Sequence, residues 1–228
     1  MSVGHDEYWS GQQRANVEAA RDAGVHLAFF SGNEVYRKIR WETSIDGTGT
    51  PHRTMVCYKE SNAEQKIDPV LDVWTGSWRD GRFSPPADGG RPENALTGQL
   101  FGVVAVANDG IPLQVPEAYG KMRLWRTTPA ASLAPGQTAT LGDRVLGYEF
   151  DEDIDNGFRP AGLIQLSSTT TPASAMVVGD NMFRGQDVYP SGTATHSLTL
   201  YKHNSGALVF GAGTVQWSWG LDGEHDSG

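Results

Sequence analysis

The chain has 228 residues and a mass of 24.7 kDa, with 18 basic against 27 acidic residues and a net charge of -9. Nucleic-acid binding needs clustered Lys and Arg to displace counterions, so a polyanionic partner is excluded. No apolar run approaches the roughly 20 residues that span a bilayer, and a lone cysteine, Cys57, builds neither a disulfide framework nor a cysteine zinc cage.

In chain order, Met1-Ser2-Val3-Gly4 reads as the exit of a strand entering a loop. Ser10 can cap a helix running to about Ala23, with Val17 and Ala20 on its inner side, and Gly24 ends it. The nearly continuous apolar run from Val25 to Phe30, between Gly24 and Ser31-Gly32-Asn33, predicts a strand buried on both faces. Strand exit, loop, helix, buried strand and loop is the order of a parallel α/β sheet, in which ligands gather at the carboxyl ends of the strands. The segments 4–9 and 31–36 occupy that position.

After Trp41 the pattern turns β-rich. Strand-like stretches fall at 53–59, 99–107, 121–125, 144–150 and 162–167, with a short helix near 92–96. Residues 195–203, the turn Asn204-Ser205-Gly206 and the return 207–210 predict a hairpin. The expected organisation is an α/β unit at 1–43, a β-rich elaboration at 44–194 and a terminal hairpin at 195–222. The polar tail 222–228 and the abrupt start together suggest a fragment of a longer chain.

Three constellations could carry chemistry. Gly4-His5-Asp6-Glu7-Tyr8-Trp9 crowds metal-ligating and titratable side chains between a strand end and a helix start. The plainer alternative is that Asp6 and Glu7 complement the helix dipole while Tyr8 and Trp9 cover the core. In Ser31-Gly32-Asn33-Glu34-Val35-Tyr36, Gly32 permits close backbone approach to a ligand. Tyr36 projects near Tyr8 if the two strands are neighbours, and is otherwise an aromatic core residue after an ordinary turn. In Gly147-Tyr148-Glu149-Phe150-Asp151, alternation places Glu149 inside a strand, on a solvated face or pointed into a site. The acids Asp151, Asp153 and Asp155 mimic the opening of a calcium loop, but Asn156 stands where Gly is required and Gly162 where the bidentate Glu belongs, so an EF-hand is rejected. Cys57 sits in Met55-Val56-Cys57-Tyr58-Lys59 without the small neighbours of a nucleophile elbow and reads as a buried thiol. Neither a Gly-x-Ser-x-Gly nor a phosphate-loop Lys is present.

Residues 2–10, 32–36, 147–151 and 206–217, with Pro92-Glu93-Asn94-Ala95-Leu96-Thr97-Gly98-Gln99 between them, resemble in order the C-terminal domain of the N,N-dimethylformamidase large (beta) subunit, nearer that enzyme's uncharacterised relatives. The resemblance implies an α/β fold similar to class I glutamine amidotransferase-like (flavodoxin-like) domains, an incomplete parallel sheet with large β-rich insertions. It implies metal-assisted hydrolysis of a small amide C–N bond at a mononuclear iron, with Tyr8, Tyr36 and Glu149 as the ligands. Three hard anionic donors suit a ferric ion. His5 is the expected proton-transfer group and Asn33 the donor to the developing oxyanion. Gly147 stands two residues before Glu149, where a His would be a natural proton shuttle. Expected partners are the small amide substrate, a small partner subunit or the missing N-terminal region, and further copies in an oligomer. Nucleic acid and membrane are not expected, and a soluble protein with the cytoplasm favoured is. The alternative is a non-catalytic binding or scaffold module for carbohydrate or protein, suggested by the β-rich half and by Trp74, Trp78, Trp217 and Trp219 on its surface.

Overall fold

The computed structural model describes residues 1–82, 90–106, 110–177 and 189–221. Fifteen strands among these residues form four sheets. The first holds β1 (Ser2–His5), β3 (Leu27–Gly32), β15 (Leu208–Gly211), β14 (Thr199–Lys202) and β11 (Ile164–Gln165) in the order β1-β3-β15-β14-β11. The second, β10-β7-β12-β13, is antiparallel throughout: β10 (Phe150–Glu152), β7 (Leu100–Val106), β12 (Thr169–Met176) and β13 (Gly192–His196). The third places β4 (Arg37–Glu42) between β2 (Tyr8–Ser10) and the strands β5 (Thr54–Val56) and β6 (Gly76–Ser77). The fourth pairs β8 (Gly110–Pro116) with β9 (Thr138–Gly147).

This corrects the expected fold class. The local order strand-helix-strand does produce a parallel pair, β1 on β3, but the next neighbour of β3 is β15, itself one arm of an antiparallel hairpin. The molecule is β-rich, with several mixed and antiparallel sheets in place of a flavodoxin-like parallel sheet. The 207–210 return of the predicted hairpin forms with β14, although the run 195–203 is split between β13 and β14. The stretch 121–125 is a turn of 3-10 helix at Arg123–Trp125, because Trp125 is drawn into the core, where its indole N–H donates to Leu166 O at 2.8 Å. Of the predicted 99–107 strand, residue 107 lies outside the described residues, as does the tail 222–228.

Helix α1 (Gly11–Asp22) begins where expected: the Ser10 hydroxyl accepts from Gln13 N at 3.2 Å, and Gly24 leaves the helix at φ +89. The short helices α2 (Glu60–Ala63), α3 (Asn94–Thr97) and α4 (Glu117–Gly120) complete the described helical segments of α type. One core cluster joins Trp9, Phe29, Val35, Trp78, Leu96, Tyr201 and Val209. Trp74 and Trp78 are both fully buried, so they form no exposed sugar-stacking row. The opposite face of the first sheet is less covered. Phe30 and Phe210 pack with Trp217, stacked on Phe30 at 6.1 Å, along an apolar groove of about 500 Å³, so the 25–30 strand is not buried on both faces.

His196 on β13 is fully buried; its Nε2–H donates to Ala212 O at 2.7 Å and its Nδ1 meets no polar partner. Burial holds its pKa down at about 4, against 6.5 for a free imidazole. A depressed histidine stabilises the fold fully above pH 6.5, and that contribution drains away as pH falls toward 4. The loss corresponds to about 3 kcal/mol. The expected outcome is a thermal midpoint that declines between pH 6.5 and 4 in the wild type and declines less in His196→Gln; parallel profiles for the two proteins would refute it.

Candidate active site

Two parallel strand pairs lie end to end and switch sheets together. β1 and β3 run side by side in the first sheet with His5 opposite Gly32, and β2 and β4 resume in the third sheet with Tyr8 opposite Arg37. Between them the two connecting segments stay in register: Val35 N donates to Asp6 O at 3.0 Å and Arg37 N to Glu7 O at 2.8 Å. Side chains that alternate along a strand are thereby delivered to one place at the step between sheets. The second segment pays for its path in backbone strain, with Asn33 at φ +50 and Val35 at φ +59; a buried β-branched residue in that region is rare.

The strain is held from below. Asn33 N donates to Asp151 Oδ1 at 2.9 Å, and Asp151 N to Gly213 O at 2.9 Å. Asp151 and Glu34 are wholly buried and face each other. Burial is the main cause that raises both, Asp151 to about 7, and the Asp151 charge lifts Glu34 further. Among the described residues neither Glu34 oxygen nor Asp151 Oδ2 accepts a hydrogen bond, so burial disfavours ionising both carboxyls at once. Gly32 fits for a different reason from the one its sequence position suggests. A Cβ there would stand 2.7 Å from the backbone of Thr214 and Val215, so the close approach is to the chain itself and not to a ligand.

Beside this step is a cavity of about 150 Å³ lined by Glu7, Tyr8, Asn33, Tyr36, Arg37 and Glu149, together with Lys59, Phe101, Val104 and Tyr189. The structure thus brings Tyr8, Tyr36, Asn33 and Glu149 to one cavity, with His5 beside it. Glu149 is in the bend between β9 and β10, not inside a strand, and its side chain is 15% exposed. Its Oε2 accepts from His5 Nε2 at 2.9 Å and from Asn33 Nδ2 at 3.1 Å. With Nε2 carrying that proton, the 3.2 Å approach of Asn33 Nδ2 to His5 Nε2 is a contact between two donors sharing one acceptor. The hydrogen bond to Glu149 raises the His5 pKa, against burial, and the charges of Glu7 and Asp151 add to it. Burial raises Glu7, opposed by Arg37, whose Nε is 3.6 Å from Oε1. Burial, reinforced by the Glu7 charge, pushes the Tyr8 phenol up to about 12.

The Tyr36 ring is gripped on two sides by guanidiniums, Arg37 at 4.5 Å and Arg79 at 4.9 Å from its centroid. Arg79 is itself buried against Glu93, with its Nε 2.9 Å from Oε1. Glu93 also accepts from Phe101 N at 3.1 Å, and the Phe101 ring packs 5.0 Å from Tyr36. Sequence reasoning left Arg37, Arg79, Glu93, Lys59 and Asp151 without a role. Arg37 directly follows an assigned residue and Asp151 stands two after another, which were usable signals; nothing local marks Arg79 or Glu93. Gly147 also acquires a cause: a Cβ there would meet Gln216 Oε1 at 2.5 Å, so Gln216 fills the space a larger side chain would need. The imidazole beside Glu149 comes instead from His5. Among the described residues no group of three or more His, Cys, Asp or Glu side chains could hold a metal ion, so any metal here would draw on the phenols.

A profile of the N,N-dimethylformamidase beta subunit-like, C-terminal family matches residues 1–227, and the chain belongs to that family. No curated protein matches it. Among the described residues no helix is long and apolar enough to cross a membrane.

Substituting Gly32→Ala forces a side-chain carbon against backbone that cannot rotate away, and overpacking of this kind costs about 1–3 kcal/mol. The expected result in urea denaturation is a lower midpoint with an unchanged slope. A midpoint equal to wild type would show that the 32–36 and 213–215 segments separate more easily than their contacts indicate.

Proposed function

We propose that this member of the N,N-dimethylformamidase beta subunit-like family hydrolyses a small amide C–N bond, formamidase-like, at the cavity between the two sheets. The observation that carries the reading is the gathering of Tyr8, Tyr36, Glu149, His5 and Asn33, from three separate parts of the chain, around one small cavity. A partner subunit, which the family's beta-subunit designation suggests, is part of the same proposal.

The donor set fits a mononuclear iron in its chemistry: two phenols and a carboxylate are hard oxygen donors lining one space, and they are the groups that would hold the ion. When bound, such an ion supplies Lewis-acid polarisation of a carbonyl and acidification of water. The remaining work is done by the chain. His5 is exposed on one side and bonded to Glu149 on the other, so it can receive a proton from the attacking water and return it to the departing amine, with Glu149 and Glu7 stabilising the imidazolium. Asn33 commits one Nδ2 hydrogen to Glu149, which fixes the orientation of that carboxylate. Its second hydrogen is the one offered to the developing oxyanion. The Tyr36 ring, held between two guanidiniums and against Phe101, cannot swing out of the cavity without breaking that stack.

The deciding measurement is metal content and optical spectrum of untagged protein, together with formate release from small formamides. Iron near one per chain, a visible tyrosinate-to-iron band lost in Tyr8→Phe or Tyr36→Phe, and at least a 100-fold fall in formate release in His5→Ala are the expected outcomes. A colourless protein that takes up no iron and cleaves no amide, with its partner region supplied, would overturn the reading.

A further inference from the structure

The walls of the cavity say what else the substrate carries; this inference rests on the hydrolytic reading above. Most of the charge around the cavity is already engaged. Arg37 is buried, close to Glu7 and against the Tyr36 ring, and His5 is bonded to Glu149. Lys59 is the exception. It lines the same cavity, is exposed, and among the described residues its ammonium forms no ion pair.

The backbone presents this lysine deliberately. Lys59 has φ +49 and ψ +46, a left-handed conformation that costs a non-glycine residue about 1–3 kcal/mol unless its surroundings impose it. They do. The next residue, Glu60, is wholly buried, and its Oε1 accepts from Ile67 N at 2.7 Å, Asp68 N at 2.8 Å and Lys66 Nζ at 3.1 Å. Its Oε2 accepts from Thr75 N at 2.9 Å, while Tyr58 N, on the other side of Lys59, donates to Thr75 Oγ1 at 3.0 Å. The chain is therefore clamped immediately before and after the lysine, and the charge is offered from a fixed base to a cavity of about 150 Å³ that the lysine helps to line. A substrate whose amide reaches Tyr8, Tyr36 and Glu149 meets Lys59 as the cation lining the same cavity without an ion pair of its own among the described residues.

We propose that the substrate is a small amide bearing a carboxylate, of the N-formyl amino acid class, with the carboxylate held by Lys59. Water adds to the formyl carbon, the C–N bond breaks, formate and the free amino acid leave, and the proton released by water ends on the amine.

The test compares N-formylglycine with its neutral isostere N-formylglycinamide in wild type, Lys59→Met and Lys59→Arg. The expected wild-type ratio of kcat/KM is at least tenfold in favour of the carboxylate, retained largely in Lys59→Arg and reduced to near one in Lys59→Met. A ratio near one in the wild type, or a ratio that Lys59→Met leaves intact, overturns the proposal. If neither compound is cleaved, calorimetric binding decides this proposal, while the hydrolytic reading stands or falls separately on iron content and formate release from other formamides. Binding of N-formylglycine that exceeds that of the amide and is lost in Lys59→Met sustains it; equal binding, or none, overturns it.

Discussion

The site depends on one geometrical constraint, the parallel passage of two chain segments from one sheet into another. Hydrogen bonds from Val35 to Asp6 and from Arg37 to Glu7 keep the segments in step across the gap. Because β1/β3 and β2/β4 are both parallel, the side chains leaving one pair and entering the other face the same space. The cost is local: Asn33 and Val35 take left-handed conformations that only a well-determined surrounding can impose. Asp151 supplies part of that determination by accepting the Asn33 amide proton, and the packing of Gly32 on the 214–215 backbone supplies the rest.

Charge is layered around this step. Beneath it lie Glu34 and Asp151, kept from full ionisation by burial. At its level charges of opposite sign alternate: His5 donates a hydrogen bond to Glu149 and pairs with Glu7, which in turn pairs with Arg37. To the side, the buried Arg79–Glu93 pair ties the Tyr36 ring to the backbone of Phe101. A buried pair of this kind adds little net stability, but losing one partner strands the other in a low dielectric, which makes it an effective means of fixing position. Functional groups held by other buried groups lose little further freedom when substrate arrives, which is the physical content of preorganisation.

Which residues share the cavity is more legible in the sequence than the fold is. Segments 4–9 and 31–36 announce themselves by crowding ionisable and aromatic residues beside strand ends, and His5, Tyr8, Asn33, Tyr36 and Glu149 all lie in or beside one cavity. The fold class was misjudged because hydrophobic runs report local structure, whereas the sheet is defined by which remote strands pair. Nothing between Val25 and Phe30 states that its second neighbour is one arm of a hairpin 182 residues away in the chain, as the β3/β15 register shows. The tryptophans mislead in the same way: Trp74 and Trp78 flank the polar Thr75-Gly76-Ser77 in sequence yet are wholly buried. Buried ion pairs such as Arg79–Glu93 are invisible for a related reason, since charged residues in a β-rich chain are by default expected at the surface.

The position of β15 between β3 and β14 has a consequence for biosynthesis. The first sheet joins Ser2–His5, near the beginning of the chain, to Leu208–Gly211, near its end, with β3 between them. While residues 208–211 are still inside the ribosome, β3 exposes one unpaired edge, and the Asp151 amide lacks the Gly213 carbonyl that receives it. Pairings of such long sequence separation form slowly, because the loop must close before any contact rewards it. The cavity lined by Tyr8, Tyr36 and Glu149 should therefore be among the last features to form, after synthesis has passed residue 213, with the edge of β3 open to edge-to-edge association until then.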